Sequence, residues 1–163
     1  MTLLSHLSKD DISQRFAIFC RQESLFYACG DYLSTEYQAK MRRLDNKNTR
    51  LFNSTIASIE CSSSTKTRIN ECWREKICEW TFQVIDHFDY NREIASISLN
   101  YLDRYLSVCV VNRKKFQLAA VTCLYLALKL HGSSSLKISS FVELSRGYFS
   151  EDHIVAMESA ILR

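Results

Sequence analysis

Glycine and proline are nearly missing from this sequence: among 163 residues there are three glycines and no proline. These residues mark hairpins and tight turns, so their scarcity argues against a fold built from many short strands. The helix-forming residues Leu, Ala, Lys, Arg, Glu and Gln are plentiful instead. Because 47% of the residues are hydrophobic, the chain can bury one sizeable core. The composition therefore predicts one folded, all-α unit.

A long hydrophobic run is also missing. The longest apolar stretch, at residues 118–128, is too short to cross a bilayer and predicts a core helix instead. The N-terminus turns acidic at Asp10 and Asp11 before any long apolar segment forms, so it does not have the pattern of a signal peptide. We expect no membrane partner.

Charge of one sign is not concentrated anywhere in the chain. The net charge is +3, and lysines and arginines alternate with acidic residues. The densest basic cluster, KMRR at residues 40–43, is interpreted as a solvated helix face. The charge pattern therefore gives no support to a nucleic-acid partner.

The cysteine pattern excludes two common kinds of site. There are seven cysteines, an odd number, with no CxxC pair and no matching histidine spacing. This pattern is not typical of a zinc site or a disulfide framework. We interpret most of them as small core residues of a reduced, intracellular protein, and we expect no metal and no cofactor.

The chain divides into three parts. Residues 1–45 are interpreted as an N-terminal helical extension with a break at Gly30. Residues 46–66 are rich in Asn, Ser and Thr without a firm period, which predicts a connector. Residues 67–163 carry strong helical patterns and form the main domain. The extension has apolar side chains available for docking: Phe16, Phe19, Leu25, Phe26 and Tyr32.

Five helices are predicted in the main domain. They cover residues 69–87, 92–106, 113–130, 138–145 and 150–163, with Ser150 or Asp152 at the start of the last. The third is apolar nearly all round and therefore belongs at the centre of a bundle. The fifth is still running at Arg163, which indicates that the sequence is cut there, either as a fragment or at the boundary of a second domain.

Asp103 occupies an unexpected position. Leu99, Leu102 and Leu106 form an apolar stripe at i, i+3 and i+7, and Asp103 lies within this stripe. A carboxylate there is expected to be buried. Because an unpaired buried charge is costly, it requires a cationic partner.

Two further charges lie on apolar helix faces. Lys129 stands near the end of the central helix, and Glu158 lies four residues after Ile154 and three before Ile161. By spacing alone, Lys129 is interpreted as a partner of the helix dipole and Glu158 as a residue at the solvent edge.

Four segments together resemble a known family. WREKICEWTFQVIDHF, NREIASISLNYLDRYLS, NRKKFQLAAVTCLYLALKL and VAMESAIL are similar, in order and spacing, to the first five helices of the cyclin box of eukaryotic cyclins. The resemblance covers about residues 67–163, and RQESLFYACGDYL resembles more weakly the helix that precedes the box. It implies a five-helix cyclin-box bundle around a central apolar helix, the first of two boxes, after an N-terminal helical extension.

The resemblance assigns roles to the charged residues that lie on apolar helix faces. Arg74 and Asp103 match the family's buried salt bridge between the first two helices. Lys129 and Glu158 match a pair that grips a cyclin-dependent kinase. The apolar contacts of that kinase surface match Leu126, Leu130, Ile161 and Leu162.

A second family surface, a docking groove for Arg-x-Leu motifs of substrates and inhibitors, is also implied. Its matching positions are Trp73, Ile77, Trp80, Gln83, Phe116 and Gln117. Trp73 replaces the usual Met, Lys76 an aliphatic residue, and Gln83 a frequent Glu. We therefore expect a weakened or re-tuned groove that tolerates acidic residues near the motif. By spacing alone, Ile77 and Trp80 are equally well interpreted as ordinary core residues.

The implied function is regulatory. A cyclin binds the active state of its kinase more tightly than the inactive state, and this chain carries no Gly-rich phosphate loop or G-x-S-x-G motif, so we expect no enzymatic activity. A location in the nucleus, the cytoplasm or both is expected. Two alternatives remain: a cyclin-fold module like general transcription factors of the IIB type, and a helical scaffold that binds no kinase.

Overall fold

The architecture of the chain was taken from a computed structural model, which describes residues 8–27, 29–48, 69–132 and 136–163. Within these ranges the regular structure is entirely helical. The α-helices are α1 (Lys9–Gln22), α2 (Thr35–Asn48), α3 (Glu71–His87), α4 (Glu93–Leu106), α5 (Arg113–His131), α6 (Ile138–Leu144) and α7 (Glu151–Ile161). A π-helical turn, Glu23–Tyr27, follows α1. The predicted all-α class is confirmed.

Helix α5 is the centre of the bundle. It begins where the Asn112 side chain accepts a hydrogen bond from the Lys115 N–H, at 2.8 Å. Most of its length is buried, with Leu118 and Leu124 fully enclosed. It packs against α3, α4, α6 and α7. The prediction of a central apolar helix is confirmed, because a helix without a polar face has to be covered on every side.

The predicted bounds of α3 to α6 agree with the structure within two residues. Caps also mark the starts of α3 and α7: Asn70 accepts from the Trp73 N–H at 3.0 Å, and Ser150 caps α7. Helix α7 ends at Ile161, two residues before the predicted end, and the Leu162 N–H donates to the Glu158 carbonyl in its last turn.

The N-terminal extension divides at the predicted break. Helical structure ends at Tyr27, and Gly30 lies in the irregular segment before α2. A Cβ atom at Gly30 would lie 2.8 Å from a ring carbon of Tyr37. A side chain at this position would require the Tyr37 ring, which is hydrogen-bonded to the Ser107 carbonyl, to shift.

Residues 31–38, the anchor segment, attach this extension to the bundle. The Tyr37 hydroxyl donates to the Ser107 carbonyl at the end of α4. The Gln38 amide donates to the carbonyls of Tyr32 and Ile69, at 3.0 and 2.9 Å. The anchor segment therefore joins the start of α2 to the start of α3 and to the end of α4.

Helix α1 differs from the anchor segment in having no buried residue. Phe16, Phe19 and Leu25 remain 63–67% exposed, whereas Tyr32 is buried. The side chain of Phe26 lies outside the described residues. The predicted connector 46–66 also lies largely outside them, although α2 extends into its first three residues. The division into extension, connector and box stays a prediction.

The cysteines depart from the prediction that most are core residues. Of those described, only Cys123 is buried, whereas Cys20, Cys29 and Cys72 are exposed. Cys20 lies on α1, which buries no face, so its position in apolar company does not lead to burial. Burial raises the pKa of the Cys123 thiol. Cys61 lies outside the described residues.

The described residues contain no group of three or more His, Cys, Asp and Glu side chains that could hold a metal ion. They also contain no helix with the length and apolar character needed to span a membrane.

Candidate functional site

Lys129 and Glu158 form an ion pair between α5 and α7. The Lys129 Nζ lies 2.8 Å from Glu158 Oε1. The Lys129 side chain is 48% exposed and the Glu158 side chain 14%. The Lys129 ammonium also lies 5.5 Å from the centroid of the Tyr125 ring, and its hydrogen bond to Glu158 raises its pKa. Glu158 is therefore partly enclosed and held in an ion pair.

An open cleft of about 430 Å³ lies beside this pair, between α4, α5 and α7. Its apolar lining includes all four residues that the resemblance assigned to the kinase surface: Leu126, Leu130, Ile161 and Leu162. Leu126 is buried at the base, whereas Leu130 and Leu162 are 57% and 64% exposed. The structure therefore brings the four predicted apolar residues to one cleft, and the ion pair joins two of the helices that form it, α5 and α7, without lining it.

Helix α4 supplies part of the cleft that sequence reasoning missed. Tyr101, Arg104, Tyr105 and Val108 all line it. The Tyr101 hydroxyl is hydrogen-bonded to His131 Nε2 at 2.9 Å, and the Arg104 guanidinium lies 5.4 Å from the centroid of the Tyr27 ring. These four positions recur at i, i+3, i+4 and i+7. The sequence therefore contains a second helical stripe beside the leucine stripe, from which this side of the cleft could have been predicted.

The predicted docking-groove residues lie along α3 and the start of α5. The rings of Trp73 and Phe116 are 5.7 Å apart, with Phe116 buried and Trp73 half-buried. Ile77 and Trp80 are half-buried and pack against the core, which also fits their interpretation as core residues. Gln83 is exposed and Gln117 half-buried.

Asp103 has two partners. Arg74 Nε and one terminal nitrogen contact the two carboxylate oxygens of Asp103, each at 2.8 Å, a bidentate arrangement. The Tyr32 hydroxyl donates to Oδ1 of Asp103 at 2.7 Å. Sequence reasoning missed Tyr32 as a partner.

The network of Arg74, Asp103 and Tyr32 is less enclosed than predicted. The side chains of Arg74 and Asp103 are each 24% exposed, so the expectation of a buried carboxylate was wrong. Asp103 lies at the edge of the bundle, where the buried Tyr32 ring of the anchor segment contacts it. The hydrogen bond to Asp103 raises the pKa of Arg74.

Replacement of Tyr32 by Phe should lower the free energy of unfolding by about 1–2 kcal/mol at pH 7, since a hydrogen bond to a charged group is lost. Burial, with the hydrogen bond to Asp103, raises the pKa of Tyr32 above its ordinary value near 10. The pKa of Tyr32 is thus higher in the folded chain than in the unfolded chain. The protonated hydroxyl therefore stabilises the fold in full below pH 10, and this stabilisation is lost as the pH rises further.

The difference between wild type and Tyr32→Phe should therefore narrow above pH 10, measured by urea unfolding at a series of pH values. A difference that stays constant through this range would show that the Tyr32 hydroxyl is not held by Asp103.

Comparison with known proteins agrees with this arrangement. The family described as "Cyclin, N-terminal domain" matches residues 31–163. The match starts well before residue 67, where the resemblance began, and it includes the anchor segment.

Individual relatives are distant and longer. Cyclin-A1-4 of Oryza sativa is 27% identical over 65% of this chain and 30% of its own length. G2/mitotic-specific cyclin-B2 of Bos taurus is 28% identical over 96% of this chain and 39% of its own length. The protein of the same name from Oryzias latipes is 32% identical over 58% of this chain and 24% of its own length. The chain thus spans less than half the length of these relatives.

The family match covers most of the chain, and the helical bundle and the bidentate pair between α3 and α4 lie within it. This chain belongs to the cyclin family of cell-cycle regulatory proteins and carries the family's N-terminal domain.

Proposed function

We propose that this chain binds a cyclin-dependent protein kinase through the cleft between α4, α5 and α7, and activates it. The observation that carries the proposal is the Lys129–Glu158 pair at the edge of an apolar cleft whose outer leucines are exposed. The names of the relatives, which are A- and B-type cyclins, support the regulatory role.

The cleft has the properties of a protein-binding hot spot. Leu130 and Leu162 expose apolar surface, and Leu126 forms a base on which a partner's side chain can pack. Hot spots combine such apolar pockets with charges that become desolvated on binding. The Lys129 ammonium has three N–H donors and bonds Glu158 with one, so the pair can also bond backbone groups of a partner helix.

The proposed mechanism is allosteric. The chain binds the kinase state in which the αC Glu meets the ATP-positioning Lys. Binding shifts the kinase population toward this active state because the chain binds it more tightly than the inactive state. Catalysis then takes place in the kinase. In this proposal the protein acts in the nucleus, the cytoplasm or both, and a groove at Trp73 helps to recruit substrates.

The proposal is tested by retention on immobilised cyclin-dependent kinases, with Leu130→Asp and Leu162→Asp variants. Both side chains are more than half exposed, so the fold should persist while kinase affinity falls at least tenfold, because a carboxylate enters an apolar contact. Val155→Asp is the matched control, since Val155 is 49% exposed on α7 and does not line the cleft.

Parallel DNA-binding titrations at two salt concentrations separate the alternatives. DNA binding that weakens with salt, without kinase retention, would favour a cyclin-fold module like general transcription factors of the IIB type. A protein that retains neither partner would be a scaffold, and the proposal would be wrong.

A further inference from the structure

The cleft between α4, α5 and α7 has a positively charged rim. Among the described residues that line it, the charged ones are Arg104 and Arg163, and the others are apolar, aromatic, Ser or Cys. Arg104 is exposed on α4, about one turn before Val108, whose side chain is 64% exposed. An apolar side chain of a partner that packs into the cleft therefore lies beside an exposed cation.

The Arg104 guanidinium lies against an aromatic ring but has no hydrogen-bond or ion-pair partner among the described residues. Its carbon atom is 5.4 Å from the centroid of the Tyr27 ring, which belongs to the π-helical turn. A ring contact positions a guanidinium without neutralising its charge. The planar fork of N–H donors fits a carboxylate in bidentate form, and this capacity is unused in the free chain.

The acidic side chains of the three helices are bonded elsewhere or lie away from the cleft. On α4, Asp103 is held by Arg74 of α3. On α7, Glu158 is paired with Lys129, and α5 contains no Asp or Glu. The remaining acidic residues of α4 and α7 stand in the first turn of each helix, at the end away from the cleft. No carboxylate of these helices is therefore available to Arg104.

The helix ends compensate the charge of Arg104 only in part. Arg104 stands in the last turn of α4, where the negative end of the helix dipole favours a cation. That end carries about half an elementary charge, and its effect is confined to the last turn. A full negative charge that matches the guanidinium has to come from a bound partner.

We propose that Arg104 is a residue by which the cleft selects its partner: on binding, its guanidinium pairs with an Asp or Glu carboxylate of the kinase. This carboxylate lies beside the apolar side chain that packs on Leu126. The inference rests on the proposed function and adds the charge that the kinase must present there. Tyr27 is a positioning residue, because its ring holds the guanidinium at the rim of the cleft.

The test measures the affinity of the full chain for immobilised, phosphatase-treated cyclin-dependent kinases by surface plasmon resonance. Phosphatase treatment ensures that a phosphate group cannot take the place of the carboxylate. Arg104→Ala should weaken binding about tenfold, and the remaining affinity should depend less on salt, because one ion pair is lost at the interface. Arg104→Glu should weaken binding further, whereas Arg104→Lys should weaken it less, since lysine keeps the charge without the planar fork.

Arg113→Ala is the matched control. Arg113 is also exposed, and its guanidinium carbon lies 5.9 Å from the centroid of the Trp73 ring. It stands at the start of α5, about 20 Å along the helix from Leu126, and does not line the cleft. This variant should keep the wild-type affinity and salt dependence. Because Arg104 and Arg113 are both exposed, melting curves should show that both Ala variants keep the fold.

The positioning role of Tyr27 is tested by a double-mutant cycle. Tyr27→Ala should weaken kinase binding about two- to fivefold, whereas Tyr27→Phe keeps the ring and should bind like wild type. In the Arg104→Ala background Tyr27→Ala should cause no further loss, because the ring acts through the guanidinium. An equal loss in that background would show that Tyr27 does not position Arg104.

The Arg104→Lys variant also locates the carboxylate on the kinase. A carbodiimide joins a lysine amine to a carboxylate in contact with it, and mass spectrometry of the cross-linked peptides identifies the two residues. The lysine introduced at position 104 should be joined to an Asp or Glu of the kinase. Replacement of that kinase residue by Lys should restore much of the affinity that Arg104→Glu loses.

The outcomes separate this inference from the proposed function. If Arg104→Glu binds kinase like wild type while Leu130→Asp does not, the inference is wrong and the proposed function stands. If the wild type retains no kinase, both are wrong. If Arg104→Glu loses affinity but no kinase carboxylate is cross-linked, the guanidinium does not pair with a carboxylate and the inference is wrong.

Discussion

The Arg74→Ala protein should melt roughly 5–10 °C below the wild type. Removal of the guanidinium leaves the Asp103 carboxylate without its bidentate partner in a site that is three-quarters enclosed. Breaking a fully buried pair costs about 3–5 kcal/mol, and partial exposure reduces this to about 2–3 kcal/mol. In a chain of this size each kcal/mol corresponds to about 2–4 °C in melting temperature.

The chain contains a matched control for this experiment. Arg92 contacts both oxygens of Asp86 at 3.0 and 2.9 Å, in the same bidentate form as Arg74 and Asp103. The side chains of Arg92 and Asp86 are 73% and 47% exposed. Because water screens an exposed pair, Arg92→Ala should melt close to wild type. Similar losses in the two variants would show that enclosure is not what gives the Arg74 pair its strength.

The Arg74→Ala loss should be recovered in part when the charge itself is removed. Asp103→Leu together with Arg74→Ala eliminates the orphan carboxylate but leaves the Tyr32 hydroxyl without its acceptor. The variant Arg74→Ala, Asp103→Leu, Tyr32→Phe removes all three polar groups and should melt above Arg74→Ala. Thermal melts followed by circular dichroism measure the series. A triple variant no more stable than Arg74→Ala would contradict the account of an uncompensated charge.

Helices could be predicted closely because their signals are local. The stripe of Leu99, Leu102 and Leu106, the start of α7 at Ser150 and the apolar circumference of α5 each depend on residues within a few turns. Local hydrogen bonding and amphipathic packing decide these elements, so their bounds follow from the sequence. At α7 the pattern had no stop signal, and the helix ends at Ile161, two residues before the predicted end.

Contacts between distant residues were not predictable from spacing. Lys129 and Glu158 are 29 residues apart, and periodicity shows only that each charge lies on an apolar face. Their pairing was suggested by the family resemblance and is seen in the geometry. Tyr32 and Asp103 are 71 residues apart, and the anchor segment has no period that would indicate which of its rings is buried. Tertiary packing decides that choice.

Exposure of small residues was the least predictable feature. Cys20 follows an apolar run in the sequence, yet it is exposed, and Cys72 is exposed as well. Position around a helix and the presence of a neighbouring helix determine burial, and α1 buries none of its faces. Composition alone gives neither of these properties.

The Lys129→Glu variant should lose kinase affinity by roughly 30-fold or more while it keeps its helical content. A charge that is hydrogen-bonded and desolvated at an interface is typically worth about 2 kcal/mol or more. In this variant the new carboxylate faces that of Glu158. Because the side chain of residue 129 is 48% exposed, it can turn away into solvent, and the fold should persist. Glu158→Ala should produce a comparable loss of affinity, because it leaves Lys129 without its positioning partner.

The charge-swapped variant Lys129→Glu, Glu158→Lys separates the contribution to binding from the contribution to folding. It restores an ion pair between α5 and α7, so its melting temperature should return toward wild type, but the charges that meet the kinase are inverted and affinity should remain low. Surface plasmon resonance on immobilised kinase gives the affinities, and Lys137→Glu, a change at an exposed lysine before α6, is the control for net charge. If the swapped variant binds like wild type, the pair acts only within the chain and the cleft contacts the kinase through its leucines alone. If Lys129→Glu itself binds like wild type, the kinase surface lies elsewhere on the molecule.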